Sequence, residues 1–129
     1  MWFSVLAVGA GAALGANLRW VLSLALNALF PLLPPGTLVA NLLGAWLIGI
    51  AFALFNLLPE LDPHWKLFVV TGFLGALTTF STFSLEMVGQ LQAGRWWAAM
   101  AGITAHLAGS LLMTALGMAC VMLARQWMR

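Results

Sequence analysis

Charge is nearly missing from this 129-residue chain, which has five Lys and Arg and three Asp and Glu, 6% of its residues; a soluble domain carries roughly a quarter. Five scattered cations cannot build the clustered basic face that nucleic acid requires, so nucleic acid is not an expected partner. The net charge of +2 says little about others. Cysteine is equally scarce: Cys120 stands alone in an apolar run, which excludes an intrachain disulfide and a thiolate metal site and predicts a small buried hydrophobe. Glu86 and His106 form no nucleophile and base constellation, and no cluster of metal ligands is present, so no enzyme is expected. A basic n-region is also lacking at Met1-Trp2-Phe3-Ser4, and the apolar run continues past signal-peptide length, so the N-terminus reads as a retained membrane helix.

What is present is hydrocarbon-compatible. Hydrophobic residues make up 64% of the chain and mean hydropathy is +1.04, the composition of an integral membrane protein. Spanning a bilayer takes about 20 apolar residues, and four such stretches are separated by clear punctuation, at roughly 2–29, 36–58, 65–92 and 96–124. Pro31, Pro34, Pro35 and Gly36 mark the first connection, Pro59 to Pro63 the second, and Ala93-Gly94-Arg95 the third. The loops are too short for a soluble domain. Trp2, Trp65, Trp96, Trp97 and Trp127 fall near helix ends, where an aromatic belt places them; Trp20 and Trp46 do not.

With four spans, both termini and the second connection share one face with Lys66, Arg125 and Arg129, while Arg95 and Arg19 lie toward the other. Three against two is almost no bias, and orientation follows Lys/Arg asymmetry, so the charge pattern points to insertion in both directions. Dual insertion permits an antiparallel homodimer, equivalent to the inverted repeats of larger transporters. Gly11 and Gly15, Gly9 and Ala13, and Ala105 and Gly109 are small pairs four apart that let helices approach closely, within a chain or between chains.

Polar side chains are costly in lipid and therefore informative. The third span concentrates them: Gly72-Phe-Leu-Gly75-Ala-Leu-Thr78-Thr79-Phe80-Ser81-Thr82-Phe83-Ser84 joins glycines to hydroxyls able to compete for backbone hydrogen bonds, which predicts a helix break around 75–79. A continuous helix from Lys66 to Gln92 would be about 40 Å long against a hydrocarbon core of about 30 Å, and a break absorbs the difference. It also frees carbonyls to accept a cation or a donor. In the fourth span His106, Ser110 and Thr114 recur every fourth residue, on one helical face.

The third-span run closely resembles the signature of the Fluc/CrcB fluoride channels. Gly11-Ala-Ala-Leu-Gly15-Ala-Asn-Leu-Arg19 resembles that family's first-helix motif, and Gly36-Thr37-Leu-Val-Ala-Asn41-Leu-Leu-Gly44 its second, in family order and over essentially the whole chain. The resemblance implies an all-α membrane protein, its third helix broken near the middle, assembled as an antiparallel dual-topology homodimer with two fluoride pathways. It further implies a central structural sodium ion on the backbone carbonyls of Gly75 and Thr78. Phe80 and Phe83 would present ring edges to the anion, with Asn41 beside the path. Ser81, Thr82, Ser110 and Thr114 would form a polar wall, with His106 at a track position, Thr37 on the pathway, Glu86 toward one mouth and Arg19 near a vestibule. Its implied setting is the bilayer of a prokaryotic inner membrane, with fluoride export by a passive channel.

Physics of the residues agrees in kind. An aromatic edge is positive, so Phe80 and Phe83, three apart on a helix, can attract a small anion without trapping it. Asn41 and the hydroxyls can donate hydrogen bonds in place of water. A small proton-coupled multidrug exporter would share size and dual topology, but it needs a carboxylate near a span centre, and only Glu86, late in the third span, is available. A membrane assembly module would explain the small-residue pairs but neither the break nor the polar stripe.

Overall fold

A computed structural model describes residues 1–128; Arg129, one of the cations assigned to the C-terminal face, lies outside the described residues. Four helices are long and apolar enough to cross a membrane, Trp2–Leu29, Pro35–Leu57, Pro63–Gln92 and Trp96–Trp127, and no strand occurs among the described residues. In lipid a backbone must satisfy itself, which leaves helices as the available form for these Leu- and Ala-rich stretches.

Helix α1 (Trp2–Leu26) ends in a 3₁₀ turn at Asn27–Leu29. The Asn27 side chain accepts a hydrogen bond from Gly36 N at 2.9 Å, which folds the proline-rich connection back onto α1. Helix α2 (Pro35–Leu57) starts on Pro35, whose missing N–H costs nothing at the first helical position. Helix α3 (Pro63–Lys66) starts likewise on Pro63, with Asp62 as its cap: the carboxylate accepts from His64 N at 2.9 Å and contacts the His64 ring at 2.7 Å. These two interactions, the backbone one larger, hold the exposed Asp62 carboxyl below its ordinary value. The cap therefore persists above that value and is lost as pH falls through the lowered one. Phe3 meets the edge of His64 with ring centroids 6.4 Å apart, which sets the start of α1 beside the start of the third span on one membrane face.

After α3 the chain winds as a π-helix through Leu67–Leu74, Gly75 N reaching back five residues to Val70 O. Helix α4 (Gly75–Leu77) follows. Thr78 (φ −85°, ψ 152°) and Thr79 (φ −148°, ψ 118°) are then extended, and α5 runs from Phe80 to Gln92. The predicted break is thus real but sits at the end of its expected window, and Gly75 is inside a helix. Threonine hydroxyls make it: Thr78 Oγ1 donates to Leu74 O at 2.9 Å, and Thr79 Oγ1 caps α5 by accepting from Thr82 N at 3.1 Å. At the other end of α5, Gly94 adopts φ +72° while Arg95 N returns to Gln90 O and Gly94 N to Leu91 O, the paired bonds of a glycine helix stop. Helix α6 (Trp96–Trp127) closes the bundle, running past the expected end at 124.

Two helix pairs carry the packing: α1 along the π segment, and α2 along α6. Both are glycine contacts. A Cβ on Gly15 would come within 3.0 Å of Leu77 N, and one on Gly11 within 2.8 Å of Phe73 N, while Gly72 presses back on Gly11. Across the other seam Gly49 faces Met118 N and Gly117 faces Ile50 N, each at 3.0 Å from such a Cβ. The Gly11 and Gly15 pair is therefore used within the chain, and Gly109 packs on Leu42, also within it. Leu74 and Leu77 are buried with Ala40 and Ala51 at the centre. Cys120, expected inside, is exposed on the outer face of α6, where lipid is as apolar as a core.

Candidate functional site

The break is held by side chains from two other spans. Asn41, on α2, accepts from Thr79 N at 2.7 Å and donates from Nδ2 to Thr79 O at 3.0 Å, replacing both backbone partners that the interrupted helix denies this residue. Arg19, on α1, donates from Nε to Ala76 O at 3.0 Å. The remaining carbonyls are left differently. Thr79 N, which would have closed on Gly75 O in a continuous helix, is turned to Asn41; Thr82 N, which would have closed on Thr78 O, is turned to the Thr79 hydroxyl. Thr78 O accepts no hydrogen bond among the described residues. Gly75 is exposed, and a Cβ there would meet nothing closer than Val70 O at 3.6 Å.

Beside the break lies an open-sided groove of about 510 Å³. Its walls come from Asn41 on α2, Gly75, Thr78 and Thr79 at the break, Phe80 and Phe83 on α5, and His106, Ser110 and Thr114 on α6. Phe80 and Phe83 have ring centroids 5.3 Å apart at an interplanar angle of 61°, and Phe83 lies 4.5 Å from the His106 ring. Phe83 is buried, while Phe80 is 72% exposed and forms the groove's open lip. Among the described residues no carboxylate or permanent cation lines the groove. Ring edges and hydroxyl dipoles facing apolar side chains can stabilise an ion weakly and release it, as conduction demands.

The expected pathway residues divide in three. Asn41, Phe80, Phe83, His106, Ser110 and Thr114 are together in the groove, the Thr114 hydroxyl donating back to Ser110 O at 3.0 Å. Ser81 and Thr82 do not line it; their hydroxyls gather at 3.3 and 3.1 Å around Thr79 Oγ1. Thr37 and Glu86 form a separate pair, the buried Thr37 hydroxyl donating to Glu86 Oε1 at 2.6 Å, with Glu86 on a cavity of about 30 Å³ that His106 also lines. Arg19 is drawn into the bundle and is not free at the second membrane face. Asn41 is on the groove wall, but its amide is already engaged with Thr79 and, from Nδ2, with His106 Nδ1 at 3.1 Å.

Sequence reasoning did not single out Thr79, the hub of the break. Its signal was available: a threonine directly before a helix whose third residue is another hydroxyl is a capping pattern. The partners of Asn41 and Arg19 are backbone groups and leave no trace in side-chain identity.

Residues 6–118 match the family described as CrcB-like protein, Camphor Resistance (CrcB). Among curated proteins the chain is 73% identical over 119 residues to a protein of Chromohalobacter salexigens named Fluoride-specific ion channel FluC, covering 92% of this chain and 90% of the relative. A protein of the same name from Marinobacter nauticus is 62% identical over 117 residues, covering 91% and 93%. One from Chromobacterium violaceum is 56% identical over 129 residues, covering 100% and 99%.

Proposed function

The chain belongs to the CrcB family, and from that membership we propose that it is a fluoride-selective channel, a conductor of ions and not an enzyme, that lets fluoride leave the cell passively across the inner membrane. The observation that carries the reading is the groove: an aromatic pair on α5 facing hydroxyls on α6, with no full charge along its walls. Fluoride is compact and strongly hydrated, so it needs donors in place of water at every stage. Ser110 supplies a hydroxyl on one wall, where Thr114, its own proton on Ser110 O, can donate only by turning from that bond, and Phe80 and Phe83 supply positive ring edges on the other. Asn41 contributes by holding the wall, since its amide is already bonded. Interior-negative potential drives an anion outward without coupling to another ion.

The working unit in this reading is an antiparallel homodimer with two such pathways. Three features support it. The groove is open along one side, Phe80 is exposed at its lip, and Gly75 gains nothing from being glycine within its own chain. A second chain crossing at the break would use all three. Gly75 O, deprived of its helical partner, and Thr78 O, unbonded, fit a hard monovalent cation, and Gly75 with Thr78 from both chains would hold a structural sodium ion. When bound, that ion supplies positive charge to unpaired carbonyls and ties the two breaks together; this chain's own residues present the oxygens and hold the break open.

Purified protein in liposomes is expected to release fluoride far faster than chloride when a potassium ionophore balances charge. Equal release of the two anions would overturn the selective-channel reading.

A further inference from the structure

The hydrogen bonds at the break fix a protonation state. Thr79 N can only donate, so the Asn41 atom 2.7 Å from it is the carbonyl Oδ1, and this orients the whole amide. Asn41 Nδ2 then has two N–H groups, one on Thr79 O at 3.0 Å and the other on His106 Nδ1 at 3.1 Å. A donor at Nδ1 requires a bare lone pair there. The neutral ring must carry its proton on Nε2.

We propose that His106 is a positioning residue that locks the break only as the neutral Nε2–H tautomer, so that protonation of its ring releases Asn41 from Thr79 and slows ion passage. A proton on Nδ1 would set one N–H against another. The ring is buried and lies 4.5 Å from Phe83, so it has little room to turn away. The amide could rotate instead, but that would bring Nδ2 against Thr79 N and Oδ1 against Thr79 O, breaking both bonds that replace the missing helix. The new positive charge would also stand beside the aromatic pair, where it would hold an anion too tightly to pass it on. Few other titratable groups face the ring. Helix α2 has none, α6 has Cys120 and Arg125 far along its length, and α5 has only Glu86. Glu86 borders the small cavity shared with His106, one oxygen bonded to Thr37 and the other without a partner among the described residues.

The flux arm of the test rests on the fluoride-channel reading; the spectroscopic arm does not. Fluoride efflux from liposomes containing the full chain is expected to fall at least about twofold between about pH 8 and about pH 5, following a single one-proton titration. In His106→Asn the amide oxygen can accept from Asn41 at any pH, so efflux relative to that variant's own value at high pH should stay level. Glu86→Gln should keep the fall. A flat profile in the unmodified chain, or a fall that survives in His106→Asn, overturns the proposal. Independently, ring ¹⁵N spectra in a His64→Gln background should show His106 with Nε2 protonated and Nδ1 bare at high pH. A proton on Nδ1 overturns the proposal whatever the protein conducts, whereas this tautomer without fluoride efflux at any pH upholds the lock and overturns the channel reading.

Discussion

Glycine serves two different surfaces in this chain, and substitution separates them. At Gly15 an added methyl would be driven into the Phe73 carbonyl and the Leu77 amide, backbone atoms that cannot rotate aside. Overpacking of that kind costs about 1–3 kcal/mol. Gly15→Ala is therefore expected to lower the thermal unfolding midpoint in detergent, with no further loss on dilution of the assembly. At Gly75 the same methyl would make only ordinary contact within the chain. Gly75→Ala should leave the fold of one chain intact and weaken its association with a second, read as monomer by cross-linking or light scattering; an unchanged dimer would show that nothing approaches this glycine. The Gly11 and Gly15 pair was legible in the sequence as a close-approach motif. Its partner was not, because small-residue pairs look alike whether they meet their own chain or another.

In the third span the instructive feature is that the break is made by the span's own hydroxyls but answered from other spans. A run of glycines and hydroxyls was enough to predict an interruption, and the interruption is there. The sequence placed it around 75–79, and extended backbone occupies the last two of those positions, Thr78 and Thr79, because the capping hydroxyls decide where a helix can stop and restart. What the run could not reveal is that Asn41 and Arg19 repair the gap from α2 and α1. Removing the first should show it. Asn41→Leu keeps the volume roughly and strips Thr79 of both partners, and unsatisfied backbone groups in hydrocarbon cost several kcal/mol each. Hydrogen exchange at the Thr79 amide is expected to accelerate at least about tenfold, which corresponds to about 1.4 kcal/mol, together with loss of fluoride efflux. Slow exchange in that variant would mean that the break holds itself.

For the whole molecule, composition decided the environment and the helix count without ambiguity, since a chain with so few charges and four long apolar stretches has no soluble solution. Orientation was harder to read. Arg19 is engaged at Ala76 O inside the bundle, so among the described residues the faces are weighed by Lys66 and Arg125 against Arg95, an asymmetry small enough for a few added cations to override. Lysines introduced at one end of the chain are expected to drive insertion one way and to reduce fluoride efflux, with activity restored by co-expressing a chain biased the other way. Full activity from a population shown to insert in a single orientation would rule out antiparallel assembly.

The repair of the break also bears on the order in which the chain is made. Arg19 and Asn41 belong to the first two spans, so both partners have left the ribosome before Thr79 appears. The Thr79 amide and carbonyl and the Ala76 carbonyl never have to lie in lipid unattended, because the groups that answer them are already in the membrane. Only His106 arrives afterwards, on the last span. A rearranged chain that delivered the same helices with the third one first would hold the same contacts in its finished state but would have to insert an unsatisfied gap and wait.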